Sequence, residues 1–524
     1  MSRKFPVCLP YLVSCILIFT LIVSTLVGTK AEAWSDDPTQ NTPICTASGF
    51  QERPVMVSDG SGGAIITWVD GRGSSHDIYA QRVDSTGAVQ WTTNGVAICT
   101  ATGTQTLPAI VEDGTGGAVI TWQDQRTGGN DIYSQKVDST GTTQWTANGT
   151  PICTEASAQQ NPVIASDGSG GAIIAWRDYR SGWYDIYAQS VNSVGMTQWT
   201  INGVAICSAV LNQEDPAIIS DTSGGAIITW EDARSGWTDI YVQRVDSTGT
   251  PQWTANGSAV CSAINNQVDP AIVSAGSGAS IIMWQDYRSG TQWDIYARRV
   301  NANGFLAWLV DGDPMCMDDS SQQYAVIASD GLDGYVMAWQ DYRTYGSTAE
   351  DIYAQRIPGM ATLSWGQNGT AVCNDPEGQD YPAIIGDGSG GAIITWQDYR
   401  SDSTHDIYAQ RIASSGTSQW IANGTAISIA SDNQKFPIIV SDSLGGAIIA
   451  WEDSRNGNDS DIYAQRIHAD GVLAPEPTPT PAPTPAPSPI PTLSQWGMIG
   501  MAIVLAAFLV WSVRRRWITS TDKS

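Results

Sequence analysis

The sequence predicts an all-β protein, an eight-bladed β-propeller of four-stranded blades, followed by one C-terminal transmembrane helix. Three observations carry this. The motif Trp-x-Asp-x-Arg begins at Trp68, Trp122, Trp176, Trp230, Trp284, Trp339, Trp396 and Trp451, at spacings of 54 to 57 residues. The tripeptide Asp-Ile-Tyr follows every copy, from Asp77 to Asp461. A third signature, Trp then Asn-Gly then Ile-Cys or its equivalent, occurs only seven times, from Trp91 to Trp420. Its missing copy stands at the front, where Thr42-Pro43-Ile44-Cys45 matches Thr150-Pro151-Ile152-Cys153. A fixed period means a stacked or radial array. A permuted start means a closed one, because the N-terminal strand then completes the last blade and removes the free sheet edges.

Within one period, Pro162–Ser166 reads as a short strand opened by proline, and Asp167-Gly168-Ser169-Gly170 as a turn. Gly171–Trp176 is apolar and β-branched, as expected of a strand buried on both faces. Asp185–Val191 alternates as a third strand, and Thr197–Cys207 holds the fourth. No body segment sustains helical periodicity.

Composition agrees. The chain has 524 residues with 52 Gly, 22 Trp and only 15% charged residues, which suits short strands and tight turns. Residues 34–474 carry 19 Lys+Arg against 49 Asp+Glu, a net charge of −30. Such a body repels phosphate backbones and excludes nucleic acid as a partner class.

Both ends read as addresses. Residues 1–33 have a basic start at Arg3 and Lys4, an apolar run from Val7 to Val27, and Ala31-Glu32-Ala33 before the first mature residue, Trp34. That reads as a signal peptide cleaved after Ala31-x-Ala33, with an uncleaved anchor as the alternative because the apolar run is long. Residues 475–489 form a Pro-rich spacer. Then come Ile490-Pro491-Thr492-Leu493, Trp496-Gly497, an apolar stretch to Val513, and Arg514, Arg515 and Arg516. From Leu493 the stretch is long enough for one bilayer core, with the arginines and residues 517–524 cytoplasmic and the body outside. This tripartite order over residues 490–516 resembles the IPTL-CTERM sorting signals of exported proteins in Gram-negative bacteria. Gln495 is a mild departure, standing where Glu is expected. The resemblance implies inner-membrane anchoring, handling by an exosortase-like sorting enzyme, and delivery to the cell surface or an exopolysaccharide matrix. The body repeats, Pro…Ser-Asp-Gly…Trp-x-Asp-x-Arg…Asp-Ile-Tyr, resemble TolB-like, WD-repeat-related propellers. Their longer Trp-Thr-Ala-Asn-Gly segment departs from that pattern. That likeness implies an interaction scaffold.

Seven body cysteines, Cys45, Cys99, Cys153, Cys207, Cys261, Cys316 and Cys373, occupy one repeat position, with Ser428 in the eighth copy. Equivalent positions of neighbouring blades stand too far apart for a bridge, so free buried thiols are expected. The Asp-x-Arg pairs and Asp-Ile-Tyr aspartates recur in every copy, which marks them as parts of the frame. In that reading Asp caps turns and Arg pairs with Asp between blades; eight acidic sets gathered on one face are the alternative, a Ca²⁺ or polyanion surface. The Ser-Asp-Gly-Ser-Gly-Gly turns lack the alternating ligands of a calcium loop. No cofactor or metal is expected, and Ca²⁺ has no supporting motif.

The histidines His76, His405 and His468 fall in different repeats without zinc spacing, and there is no Gly-x-Ser-x-Gly elbow. No catalytic residue is assigned, although paired carboxylates of a glycan hydrolase or lyase stay open. One feature breaks the repeat: aromatics between the second and third strands, at Trp183, Tyr184, Trp237, Trp293 and Tyr345. Exposed on neighbouring blades, they would form a sugar-stacking surface; otherwise they pack on adjacent loops. The expectation is therefore a surface binding scaffold for polysaccharide or a surface protein. A surface glycan hydrolase or lyase is the alternative, and a purely structural protein the third reading.

Overall fold

The computed structural model describes residues 34–343, 349–359, 363–401, 404–457, 459–473 and 503–512. The chain divides into two units, Met1–Pro475 and Glu476–Ser524. Among the described residues the first contains 32 strands in eight antiparallel four-stranded sheets. Blade one runs Gln51–Ser58, Ala64–Asp70, Asp77–Val83 and Val96–Cys99 from the inner strand to the outer. Six further blades repeat that order, and blade eight takes Gln434–Ser441, Ala447–Asp453 and Asp461–Ile467 from the C-terminal end of the body. Its outer strand is Thr42–Cys45, paired antiparallel to Asp461–Ile467. The predicted ring closure is therefore present.

The second strand of each blade is the apolar one, and in blade one all seven of its residues are buried. Its two faces serve two cores. One core joins Ile65 and Ile78 of blade one to Ile120 and Trp122 of blade two, and another joins Ile66 and Trp68 to Ile448 and Ala464 of blade eight. Each hydrophobic core thus lies between blades, so no blade is stable without its neighbours.

The Trp-x-Asp-x-Arg motif ties this packing to the loops. Asp70 accepts hydrogen bonds from Trp68 Nε1 at 2.7 Å and from the Arg72 backbone amide at 2.9 Å. Arg72 forks onto both carboxylate oxygens of Asp70, at 2.7 Å through Nε and 2.6 Å through Nη2. The guanidinium lies 3.9 Å above the Tyr79 ring. Its Nη2 also donates to the Asn94 carbonyl at 2.8 Å and to Cys45 Sγ of the preceding blade at 3.2 Å. The expected Arg–Asp pairing between blades holds only in part: the close ion pair is internal to the blade, Arg343 and Arg400 also reach Asp318 and Asp375 beyond the preceding blade's outer strand at 3.8 and 4.0 Å, and the thiol makes the crossing. The cysteines are free and buried as expected. They also accept a charge-assisted bond, so they are more than apolar filler. Burial pushes the Cys45 thiol up to about 12. Gly95 sits in the Asn-Gly turn because a Cβ there would stand 2.6 Å from Trp68 Cη2.

The Ser-Asp-Gly turns have the predicted role. Asp59 accepts from the amides of Ser61 and Gly63, each at 2.8 Å, and its other oxygen pairs with Arg82 at 2.8 Å. In blade eight the equivalent pair, Arg466–Asp442, has a fully buried guanidinium whose Nη1 reaches the Ser85 carbonyl of blade one. Trp34, 1% exposed, donates through Nε1 to the same carbonyl at 3.0 Å. Both ends of the body therefore meet at one atom.

Two strand boundaries differ from expectation. The inner strand of blade three begins at Gln159, three residues before Pro162, because a register shift between Gln160 and Val163 lets the ladder continue past the proline. The outer strand is only Val204–Cys207, since the preceding Trp-Asn-Gly segment turns. In the second unit residues 503–512 are helical. The predicted membrane span from Leu493 to Val513 lies otherwise outside the described residues, and among those described no helix is long and apolar enough to cross a membrane. The signal peptide, spacer and sorting motif also lie outside the described residues.

The fork predicts its own cost. Asp232→Ala strips Arg234 of its partner in a half-buried site and should destabilise the propeller by about 3–5 kcal/mol. Arg234→Lys, which keeps charge without the planar fork, should lie between this variant and the unmodified protein. Urea unfolding of the full-length protein followed by tryptophan fluorescence measures both.

Candidate functional site

The inner strands converge around the central channel, and each contains the same irregularity. In blade one Gln51 pairs with Asp70, the register then slips between Glu52 and Val55, and Arg53 is forced to φ +54°. The seven equivalents are Leu107, Asn161, Asp215, Asp269, Tyr324, Tyr381 and Phe436, and all eight lie between +45° and +54°. Seven precede a proline, a context that ordinarily holds the chain extended. None is glycine, although each non-glycine residue in this region costs on the order of 1–3 kcal/mol. The strain persists because the frame over-determines the backbone. Glu452 Oε1 of blade eight accepts from the Arg53 amide at 2.6 Å, Glu231 Oε1 of blade four from the Asp269 amide at 2.7 Å, and Gln397 Oε1 of blade seven from the Phe436 amide at 2.7 Å. In these three blades the middle residue of Trp-x-Asp thus clamps the bulge of the next.

The bulged residues surround the channel mouth, where a cavity of about 660 Å³ is lined by Arg53, Asp269, Tyr324, Tyr381, Phe436 and Glu452, among others. A connected cavity of about 610 Å³ continues past Leu107, Asn161 and Asp215. Blades six to eight give an aromatic wall: Tyr324 and Tyr381 centroids stand 5.1 Å apart and Tyr381 and Phe436 5.2 Å apart, each residue between 38% and 46% exposed. The opposite wall is polar. Asn161 Nδ2 donates to Asp215 Oδ1 at 3.1 Å, and Asp269 accepts from Gln285. Burial is the main cause raising the carboxyls of Glu231, Asp269, Glu214 and Glu452. Glu231 is pushed up to about 7, with neighbouring Asp215, Asp269 and Glu214 adding to the effect of burial. Arg177, the counterpart of Glu231 in blade three, lies 3.5 Å from Glu214.

Trp183, Tyr184, Trp237 and Trp293 stand on the same face, since the loops that carry them leave the second strand where the inner strand begins. Trp183 and Trp237 are 49% and 52% exposed. Tyr184 packs inward, its hydroxyl donating to Gln160 Oε1 at 3.0 Å, with Arg177 4.7 Å above its ring. Trp293 is half-buried against Tyr287, with centroids 4.9 Å apart. Tyr345 lies outside the described residues. Among the described residues no ring contact joins Trp183, Trp237 and Trp293, and no cluster of three or more His, Cys, Asp or Glu is placed to hold a metal ion. The Asp-x-Arg and Asp-Ile-Tyr aspartates are buried and do not make a surface of eight acidic sets.

Sequence reasoning missed the mouth. Its signal is one position in Gln-x-x-Pro, which reads Arg, Leu, Asn, Asp, Asp, Tyr, Tyr and Phe in turn between a constant Gln and a proline that only Ala325 replaces, although the position before it varies as well.

The tail matches the IPTL-CTERM motif over residues 488–516, which implies export and surface localisation through a sorting enzyme. No curated protein matches the chain. Among solved structures, a protein of unknown function from Dyadobacter fermentans is 11% identical, covering 58% of this chain and 94% of its own, with a TM-score of 0.37. An ulvan lyase is 10% identical over 69% of this chain and 92% of its own, with a TM-score of 0.42. An α-L-arabinofuranosidase from Fusarium graminearum is 8% identical over 70% and 94%, with a TM-score of 0.37. At these values no assignment rests on the likenesses.

The raised Glu231 carboxyl has a definite pH signature. Its folded pKa exceeds the unfolded value, so the folded state holds the proton more tightly, and its contribution to stability falls as pH rises from about 4.5 to about 7. Glu231→Gln keeps an Oε1 acceptor for the Asp269 amide and removes the titration. Its urea midpoint should match the unmodified protein at pH 4.5 and exceed it at pH 8.

Proposed function

We propose that this is an exported surface protein whose propeller binds a glycan at the channel mouth. The observation that carries this reading is the ring of eight strained residues, which spends backbone energy in every blade to present a side chain where glycine would be cheaper. Three adjacent aromatic faces opposite hydrogen-bonding groups, around a cavity of a few hundred Å³, are the chemistry of sugar recognition: flat apolar faces for ring C–H groups, polar groups for hydroxyls. Trp183 and Trp237 extend the surface outward on the same face. Export, the cleaved signal peptide, an exosortase-like partner and the TolB-like scaffold likeness all fit such a role.

A second reading is glycan hydrolysis, and Glu231 favours it. Glu231 Oε1 accepts the amide of Asp269, which lines the mouth cavity, and its carboxyl, pushed up to about 7 with Asp215 and Asp269 as ionisable neighbours, would hold the proton a general acid needs. An acidic mouth fits a lyase less well, because lyase substrates carry carboxylates of their own.

The test is calorimetric binding of neutral oligosaccharides to the full-length protein, with reducing-sugar release followed in parallel. Tyr381→Ala should weaken binding about tenfold, the loss of roughly 1.4 kcal/mol. If sugar is released, Glu231→Gln should stop release and leave binding in place. Binding unchanged by Tyr381→Ala would move the site away from the mouth.

A further inference from the structure

We infer that the mouth selects amino sugars, glycans bearing protonated primary amines, over acetylated and uronic-acid glycans. This rests on the glycan-binding reading and deepens it. The aromatic wall of Tyr324, Tyr381 and Phe436 faces a cavity whose lining also holds Asp269 and Glu452, with Arg53 the one cation among those lining residues. The adjoining cavity adds Asp215 and no further cation to its lining. Of the cations beyond that lining, Lys435 acts on Glu452, and Arg177 is held by Glu214 at 3.5 Å and by Gln160 Oε1 at 3.1 Å. Polar groups on this wall accept more than they donate: Asp215 already takes the Asn161 amide, Asp269 takes the Gln285 amide, and each keeps further acceptor capacity. A ligand that satisfies such a site must bring donors and positive charge.

Tyrosine and phenylalanine faces attract an ammonium as well as sugar C–H groups, so one wall orients the ring and also favours the amine. The carboxylates of Asp269 and Glu452, on blades five and eight beside it, neutralise the amine. An acetylated amine brings one donor and no charge, and a uronate brings a like charge to a mouth set in a body of net −30. The asymmetry matters here: a ring with alternating charges would not discriminate, whereas this one gathers acids on blades four and five and rings on blades six to eight.

The experiment compares three tetrasaccharides by calorimetry on the full-length protein at pH 6: glucosamine, N-acetylglucosamine and galacturonate. The glucosamine tetramer should bind at least tenfold tighter than the acetylated one, and raising NaCl from 50 to 500 mM should cut that margin severalfold. Asp269→Asn and Glu452→Gln keep the oxygen acceptors for Gln285 and the Arg53 amide, and each should narrow the margin by weakening the glucosamine tetramer more than the acetylated one. Tyr381→Ala should weaken both. Equal or tighter binding of the acetylated tetramer overturns the amine preference and leaves glycan binding standing. Tighter binding of galacturonate overturns it too, and points to Arg53 as the anchor. Failure of all three, with neutral glycans bound as above, overturns the amine preference alone. Failure of every glycan overturns both readings.

Discussion

The propeller depends on one interaction repeated around the ring, the fork of Arg onto Asp in Trp-x-Asp-x-Arg. Asp70 is buried, and its oxygens are filled by Trp68, by the amide of Arg72 and by the Arg72 side chain. A buried carboxylate is costly unless paired, and here the pair is supplied two residues away, so each blade carries its own solution. The same guanidinium then reaches the Asn94 carbonyl in its own blade and Cys45 in the blade before. A local pairing is thereby converted into an inter-blade contact. The hydrophobic cores between blades supply most of the burial, and the fork fixes the angle at which they meet.

That frame has a consequence for function. Because every blade is held by the same bonds, the middle residue of the motif and the bulged inner-strand residue are free to vary. The middle position is Val69, Gln123, Arg177, Glu231, Gln285, Gln340, Gln397 and Glu452, and the bulge changes character in step around the ring. Where Glu or Gln occupies the middle position in blades four, seven and eight, it clamps the next bulge by a backbone amide. The constant frame sets the register of every blade, and the variable positions, bulge and clamp alike, differ from blade to blade. This is the sense in which a symmetric ring can carry an asymmetric site.

Much of the fold was legible in the sequence because periodicity and turn chemistry are local. The eight copies, the ring closure through Thr42–Cys45 and the doubly buried second strand all follow from spacing. Pro162 misled about the inner strand, because the register shift that lets the ladder pass the proline leaves no mark in the local sequence. The site was less legible. Trp183 and Trp237 stood out because they interrupt a loop pattern, and they are indeed exposed. Tyr324, Tyr381 and Phe436 look like ordinary strand residues, and only convergence of the inner strands at the channel brings them together. Glu231 was indistinguishable from its neighbours for a related reason: its raised pKa comes from burial beneath residues of other blades.

The account's central claim is that the frame is structural and the mouth is functional. The most direct measurement replaces the seven bulged residues other than Asn161 with asparagine, which tolerates positive φ: Arg53, Leu107, Asp215, Asp269, Tyr324, Tyr381 and Phe436. Urea unfolding and glycan binding are then measured on the same protein. The account predicts a cooperative unfolding midpoint no lower than that of the unmodified protein, together with loss of glycan binding. A variant that still binds glycan with undiminished affinity, or one that no longer folds, would contradict it.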